Sequence, residues 1–127
     1  MGVNKEGEEV EMTTPVLSRM ILLGNNKINK QMCFYIEKKH QANPPTPVDA
    51  DVKIEANKEF TVYVHQFGGY AMKDAVMIQQ SRVFAEVLRE AGETVDTSTF
   101  YTAGYDSPMK FWNRRNEVMF LVPANNV

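Results

Sequence analysis

The chain has 127 residues, of which 43% are apolar and 10% aromatic, and its formal net charge is -2. That composition suffices for one hydrophobic core and predicts a single domain over residues 1–127, whereas the slight negative charge argues against nucleic acid as a partner. The lone cysteine, Cys33, excludes an internal disulfide. No stretch reaches the roughly 18 apolar residues of a membrane-spanning helix. The first residues, 1–11, are acidic and polar and do not resemble a secretory or mitochondrial targeting signal. We therefore expect a cytoplasmic protein.

The first predicted element is a β-hairpin. Residues 10–17 and 28–37 have the composition of strands, and Gly24, Asn25 and Asn26 between them tolerate the left-handed backbone of a turn. In the second strand polar and apolar residues alternate, which is typical of a sheet with one side facing water. Its apolar face comprises Ile28, Met32, Phe34 and Ile36.

A stiff connector leads to the most strand-like part of the chain. Residues 43–47 (NPPTP) predict an extended crossing, because proline fixes the backbone angle φ and removes a hydrogen-bond donor. A short strand is expected at residues 52–55 and a longer one at residues 60–67, which ends at two glycines. One face of the longer strand carries Tyr63, His65 and Phe67.

Residues 72–91 predict the one long helix. At about 100° per residue, its apolar residues fall within one wide arc, and Gly92 follows as a C-terminal stop. Gln80 lies inside that arc and is expected to hydrogen-bond a neighbouring strand, because a buried amide needs a partner. The arc comprises Met72, Val76, Met77, Val83, Phe84, Val87, Leu88 and Ala91.

Residues 99–122 predict two strands joined by an irregular turn at residues 104–108. The second strand is apolar on both faces, so we expect it to be covered on both sides. The pattern echoes residues 12–36, which also comprise a strand, a proline-bearing segment and a second apolar strand. A strand and a helix (residues 60–91) precede only the later copy, so a duplication would leave the earlier copy without them.

The final segment resembles a known family. Residues 100–110 (FYTAGYDSPMK) and 113–118 (NRRNEV) are similar to the C-terminal signature of the SOUL/haem-binding protein family. Further matches keep the family's order and extend the resemblance over nearly the whole chain: residues 12–16 (MTTPV), 43–47 (NPPTP), 62–64 (VYV) and 67–70 (FGGY).

This resemblance implies an α+β fold. In the family, a duplicated β-α-β-β unit forms a twisted, barrel-like antiparallel sheet with two long helices against it. The first strand and first helix of the family have no counterpart in this sequence. We therefore expect one long helix instead of two, and a domain that is truncated at its N-terminus relative to the family.

The resemblance also implies a function, because the family is described as binding haem and other tetrapyrroles. We expect non-enzymatic binding of haem or a related tetrapyrrole in an apolar cleft. The sequence contains no nucleophile elbow, phosphate loop or metal triad that would indicate an enzyme. The porphyrin contacts proposed for the family lie largely on the helix that has no counterpart here, so no haem ligand transfers residue by residue.

Five residues are candidates for the site on chemical grounds. Tyr63 and Phe67 could flank a flat aromatic ring, and His65 between them is a candidate axial ligand of iron; a half-exposed histidine of a strand is the structural alternative. Arg114 and Arg115 could pair with porphyrin propionates, as guanidinium groups do with carboxylates. The alternative for both arginines is a charged turn before the last strand.

An alternative function is docking to another protein. Residues 79–93 resemble a BH3 motif, the amphipathic helix that enters grooves of apoptosis regulators, and one branch of the family is described as carrying such a helix. This alternative implies a role in apoptosis or mitochondrial permeability, with association to mitochondria. The expected truncation adds a further hypothesis, because an uncovered apolar face of the sheet would make the chain self-associate.

Overall fold

A computed structural model describes residues 4–9, 13–25, 27–71, 73–106, 109–110 and 112–123. Several predicted features lie outside the described residues: the start of the first strand (residues 10–12), Asn26 of the hairpin turn, Met72 of the helix, and residues 107–108 of the last turn. The elements of the described chain are β1 (Val16–Gly24), β2 (Lys27–Phe34), α1 (Lys38–Gln41), β3 (Val62–Phe67), α2 (Asp74–Glu90), β4 (Thr99–Gly104) and β5 (Asn116–Leu121).

The strands form one antiparallel sheet in the order β2-β1-β4-β5-β3. α2 lies across one face of this sheet and contacts β5, so the predicted α+β class with one long helix is confirmed. β2 and β3 are the edges, and the sheet formed by the described strands is open, not closed into a barrel. Within these ranges neither helix has the length and apolar content that crossing a bilayer requires.

The predicted hairpin is confirmed, but its first strand lies further along the chain than expected. β1 begins directly after Pro15 and pairs with β2 up to the turn, where Gly24 and Asn25 adopt positive φ values of 80° and 51°. Because Pro15 has no N–H to contribute to a ladder, a strand that starts after it avoids a missing bond. The predicted bounds of residues 10–17 are therefore wrong, since the ladder runs from Val16 to Gly24.

The strand predicted at residues 52–55 is absent from the structure. This part of the connector stays outside the sheet and lies against the face opposite α2. Arg19 Nη1 is 3.9 Å from Glu55 Oε1, and Phe60 stacks on Tyr101 with 5.8 Å between ring centroids. A strand needs a neighbouring main chain to pair with, and this segment crosses over side chains instead. The longer strand predicted at residues 60–67 is present as β3, which begins two residues later, at Val62.

α2 closes the core against the middle of the sheet. It buries four side chains that recur every three or four positions, as expected for a helix with one covered face: Met77, Ser81, Phe84 and Leu88. The largest fully buried side chains beneath it are Phe100, Phe120, Met20 and Val118. β5 is covered on both faces over most of its length, as predicted, because Glu117 on the far face is also buried, although Leu121 is exposed.

The predicted apolar arc of the helix is wrong at Val83 and Val87, because both side chains are about half exposed. At about 100° per residue, they lie to one side of the buried row. Gln80 on that same side places its Oε1 2.9 Å from Nε2 of His65 in β3, which confirms the predicted bond to a strand. β3 is an edge strand, so the described chain offers no further strand for Val83 and Val87 to cover.

The apolar face predicted for the second strand is only partly covered. Ile28 packs against the core, and Lys30 Nζ bonds Asp74 Oδ1 at the start of α2 at 2.9 Å. Beyond this contact the described residues do not cover this face of β2, and Met32 and Phe34 are exposed. Alternation in the sequence identifies the residues that share a face, but whether that face is covered depends on how far the helix reaches.

Candidate functional site

Tyr63, His65 and Phe67 lie together under α2. The Tyr63 hydroxyl donates to Glu93 Oε2 at 2.7 Å. The His65 ring lies 5.7 Å from that of Phe67 and 5.4 Å from that of Phe84 between centroids. All three side chains of β3 are partly buried. The structure therefore brings these candidates together as part of the contact between helix and sheet.

His65 has its Nε2 occupied by a hydrogen bond. The partner is Gln80 Oε1 at 2.9 Å, and with the amide oxygen facing the ring, Nε2 is the donor. Nε2 is then not available to iron, and in this tautomer the lone pair of the ring is on Nδ1. Among the described residues there is also no group of three or more histidine, cysteine or acidic side chains that could hold a metal ion.

Arg114 lies near the C-terminal end of β3, where it contacts the residues that follow this strand. Its guanidinium stacks over the ring of Tyr70 at 4.1 Å. Nη1 donates to the carbonyl of Lys110 at 2.6 Å, and Nε to the carbonyl of Gly69 at 3.3 Å. The Tyr70 hydroxyl donates to the same Lys110 carbonyl at 3.0 Å. Tyr70, Lys110 and Arg114 thus form one set of contacts, called here the Tyr70–Arg114 cluster.

Large apolar side chains are exposed beside this cluster. Met109 is 82% and Trp112 64% exposed, and both belong to the segment that contains Lys110 and Arg114. The ring of Tyr70 is also exposed. Lys110 contributes only its carbonyl here, because its Nζ is paired with Asp106 Oδ1 at 3.0 Å. Exposed aromatic surface next to the guanidinium of Arg114 is suited to a flat, apolar ligand that carries negative charge at its edge.

Asn116 holds the β3 end of this cluster in place. Its side chain is buried, and Nδ2 donates to the carbonyls of Gly69 at 2.7 Å and Phe67 at 3.4 Å. Gly69 has a positive φ of 83°, a conformation that glycine adopts without strain. The buried amide therefore fixes the turn that leads from β3 to Tyr70.

Arg115 points to the opposite face of the sheet. Nη2 donates to Glu117 Oε2 at 3.0 Å, and the guanidinium lies 4.3 Å from the centroid of Tyr105. The Tyr105 hydroxyl donates to Glu117 Oε1 at 2.5 Å, and the main-chain N–H of Arg115 donates to Asp106 Oδ2 at 2.5 Å. The two neighbouring arginines are thus separated, and Arg115 is already paired with a buried carboxylate.

Replacing Tyr105 by phenylalanine should cost about 1–2 kcal/mol of stability at neutral pH, since Glu117 loses a donor. The hydrogen bond to Glu117, and then burial, raise the pKa of the Tyr105 hydroxyl above its usual value of about 10. Because the pKa is raised in the folded state, the hydroxyl stabilises the folded protein at pH values below its usual pKa. This stabilisation is lost as the pH rises through the folded-state pKa. Urea unfolding across the alkaline range should show the difference between wild type and Tyr105→Phe shrinking above about pH 10. A difference that stays constant would contradict the assignment.

A second concave region lies between α2 and the segment after it. This cleft encloses about 600 Å³, and its lining mixes apolar and charged side chains, including Phe120, Val95, Arg82, Glu86, Arg89 and Glu93. Arg89 is paired with Glu86, and Glu93 accepts from Tyr63. The two arginines and two glutamates of the cleft cancel in formal charge. The Tyr70–Arg114 cluster combines exposed aromatic surface with a guanidinium that faces neutral carbonyls, which makes it the better candidate site for an anionic ligand.

Of the five predicted site residues, the structure places one in the Tyr70–Arg114 cluster. Arg114 belongs to the Tyr70–Arg114 cluster, Phe67 ends the strand that leads to it, and Arg115 lies on the other face. Tyr70 and Lys110 were not selected, although both lie within the segments that carry the family resemblance. Trp112, the single tryptophan of the chain, gave no periodic signal because it lies in a turn.

Comparison with known proteins agrees with the resemblance. A family model described as SOUL heme-binding protein matches residues 1–121. Heme-binding protein 2 of Homo sapiens is 36% identical over 123 residues, which cover 94% of this chain and 59% of the relative. Heme-binding protein 1 of Mus musculus is 38% identical over 125 residues, which cover 97% of this chain and 65% of the relative. The chain spans about three fifths of the length of these curated relatives.

Proposed function

This chain belongs to the SOUL heme-binding protein family, and from that premise we propose that it binds haem or a related tetrapyrrole without catalysing a reaction. The proposal is supported by the names of its relatives, heme-binding proteins 1 and 2. It is also supported by the Tyr70–Arg114 cluster, where exposed aromatic surface adjoins the guanidinium of Arg114. A tetrapyrrole combines a flat apolar ring with carboxylates at its edge, which is the chemistry that such a surface matches.

Each part of the cluster has a separate role in the proposal. The ring system lies against Tyr70, Trp112 and Met109, which contribute mainly apolar contact. Arg114 pairs with a propionate, because its planar guanidinium matches a carboxylate in geometry and charge. Both guanidinium groups already have partners, so a propionate would compete with the carbonyls of Lys110 and Gly69 at Arg114 and with the carboxylate of Glu117 at Arg115. A carboxylate is the stronger competitor for a guanidinium, which makes Arg115 the weaker propionate partner.

In this proposal the three candidates on β3, Tyr63, His65 and Phe67, hold the site in position. Phe67 leads directly into the turn that carries Tyr70, and Tyr63 and His65 hold α2 on the sheet through Glu93 and Gln80. The His65 ring lies between those of Phe67 and Phe84 in the contact of helix and sheet, so the proposal takes no iron ligand from this residue. Binding then depends on apolar contact and on the charge of Arg114.

Hemin titrated into the purified chain should produce a saturable Soret shift near one equivalent of protein. Arg114→Gln should weaken the affinity about tenfold, the value expected for one charge-assisted hydrogen bond. Arg82→Gln is the matched control, because it removes the same charge from an exposed position on α2 that lines the other cleft. Its affinity should equal that of wild type.

Three outcomes would count against this assignment. A Soret shift that never saturates would remove the binding proposal altogether. Weakening by Arg82→Gln but not by Arg114→Gln would place the ligand in the cleft beside α2. A Soret maximum that moves in a folded His65→Asn variant would assign iron ligation to that ring.

The alternative function, docking through residues 79–93, receives less support. Phe84 and Leu88, the large apolar residues of this segment, are buried against the protein's own sheet. A groove on a partner would have to remove them from the core, at a cost of several kcal/mol for side chains of this size. The exposed Val83 and Val87 alone are a small apolar surface.

A further inference from the structure

A segment near the start of the chain is held on the proline-rich connector. Residues 4–9, called here the strap, contact Thr46 through main chain and side chain. The Lys5 N–H donates to the Thr46 carbonyl at 2.9 Å. The Glu6 carboxylate accepts two hydrogen bonds from Thr46, one from its main-chain N–H at 2.6 Å and one from its hydroxyl at 2.7 Å. Thr46 thus uses its N–H, its carbonyl and its hydroxyl to hold the strap.

The strap is acidic where it meets Thr46. It carries Glu6, Glu8 and Glu9 against a single lysine, Lys5. The hydrogen bonds from Thr46, first that of its side chain and then that of its main chain, lower the pKa of Glu6 below its usual range, so this carboxylate is charged at neutral pH. A hydroxyl suits the contact because it can donate, whereas an anion in its place would be repelled.

Thr46 has the sequence context of a phosphate acceptor. Its side chain is exposed and it lies in no helix or strand, while residues 44–45 and Pro47 favour an extended backbone. A residue that precedes proline is accepted only by protein kinases whose site requires no N–H donor from the following residue. Three hydroxyl residues of the chain meet that condition, Thr14, Thr46 and Ser107, and only Thr46 also follows a proline.

We propose that Thr46 is a phosphorylation site for a proline-directed protein kinase, and that its phosphate releases the strap from the connector. The modification needs only a local opening of this contact, because the strap is exposed over most of its length. In the reaction Thr46 Oγ attacks the γ-phosphorus of ATP, the bond from that phosphorus to the β–γ bridging oxygen breaks, and ADP leaves. The hydroxyl proton passes to the catalytic base of the kinase.

The phosphate changes the contact in two ways. Thr46 loses the hydrogen that it donates to Glu6, and it gains a charge of about -1.5 to -2 at pH 7. Two anions then face each other, and like charges at this distance repel. Glu8 lies farther along the strap, where its Oε2 is 3.3 Å from Nδ1 of His40. The release is therefore expected at the Thr46 end of the strap.

Phosphorylation of the purified full chain by a mitogen-activated protein kinase, a proline-directed enzyme, with ATP and Mg²⁺ tests the assignment of the site. Tandem mass spectrometry should locate one phosphate per chain, on Thr46. Thr46→Val should lose it, and Thr14→Val is the matched control, because it removes the same hydroxyl from another threonine that precedes proline. Phosphate mainly on Thr14 or Ser107, or none on Thr46 while a control peptide is phosphorylated, overturns the proposal.

Limited digestion with trypsin tests the release. Cleavage after Lys5 requires the strap to leave the connector, because the Lys5 N–H is bonded to Thr46. Phosphorylation should accelerate this cleavage about tenfold, as expected when one or two hydrogen bonds no longer oppose opening. Glu6→Gln should reduce the acceleration, since a phosphate does not repel an amide. Glu9→Gln removes the same charge from another exposed position of the strap and should retain the full acceleration.

Each variant is compared with its own unphosphorylated form, so that any direct effect of residue 6 on trypsin cancels. Circular dichroism should show the sheet intact throughout. Equal cleavage rates with and without phosphate overturn the release, and so does an acceleration that Glu6→Gln retains in full. Both experiments are done without hemin, so their outcome is independent of the proposed tetrapyrrole binding.

Discussion

Phe120→Ala is expected to lower the free energy of unfolding by about 3–5 kcal/mol. The ring lies at the centre of the core, 5.8 Å from that of Phe84 on α2 and 6.3 Å from that of Phe100 on β4 between centroids. Removing it forfeits the transfer free energy of a buried aromatic side chain and leaves a cavity between helix and sheet. Equilibrium unfolding in urea measures the loss, which should appear as a lower midpoint.

Leu121→Ala provides the control on the neighbouring residue of the same strand. Leu121 points to the other face and is exposed, so its truncation should change stability by less than about 1 kcal/mol. Comparable losses for the two variants would mean that α2 does not cover β5 on the Phe120 side. That result would contradict the arrangement of helix and sheet on which the candidate site depends.

Asn116→Asp should destabilise the protein by about 3 kcal/mol or more and should also weaken hemin binding. The native amide donates to the carbonyls of Gly69 and Phe67 from a buried position. A carboxylate of the same shape cannot donate, so two carbonyls lose their partner and a charge is buried beside them. The turn that carries Tyr70 then loses its anchor, which connects this loss of stability to the proposed site.

The pH dependence of this variant distinguishes the mechanism from a general loss of packing. Burial raises the pKa of the introduced carboxyl group, so its stability relative to wild type should recover as pH falls through that pKa. The protonated carboxyl can donate one hydrogen bond, which restores part of the anchor. Asn113→Asp is the control, since Asn113 is exposed with a φ of 49°, a conformation that aspartate also tolerates. If Asn113→Asp is as damaging, or the deficit is independent of pH, the anchoring role is wrong.

Local patterns were sufficient for the elements that depend on neighbours in sequence. The turn at Gly24 and Asn25 follows from residues that tolerate positive φ, and α2 follows from a long periodic run that ends before Gly92. The bond between Gln80 and His65 was also predictable in kind, because a polar side chain within an apolar arc must find a partner. Each of these inferences rests on a rule that applies within a few residues.

The sequence did not predict in the same way which segments pair as strands or which side chains are buried. Residues 52–55 alternate like a strand but cross over side chains, and β1 extends well beyond the predicted strand because β2 and β4 both pair with it. Val87 belongs to the apolar arc of α2, yet it is exposed because no described strand lies beyond β3. These outcomes depend on where the sheet ends, which is a property of the assembled sheet and not of any segment.

The candidate site shows the same division. The sequence by itself determined that Arg114 and Arg115 are neighbours just before the last strand, and that the chain resembles the SOUL heme-binding protein family. Only the tertiary structure decided that Arg114 stacks on Tyr70 while Arg115 pairs with Glu117 across the sheet. Adjacent residues at the start of a strand point to opposite faces, so their partners are set by what each face carries, and those partners come from distant parts of the chain.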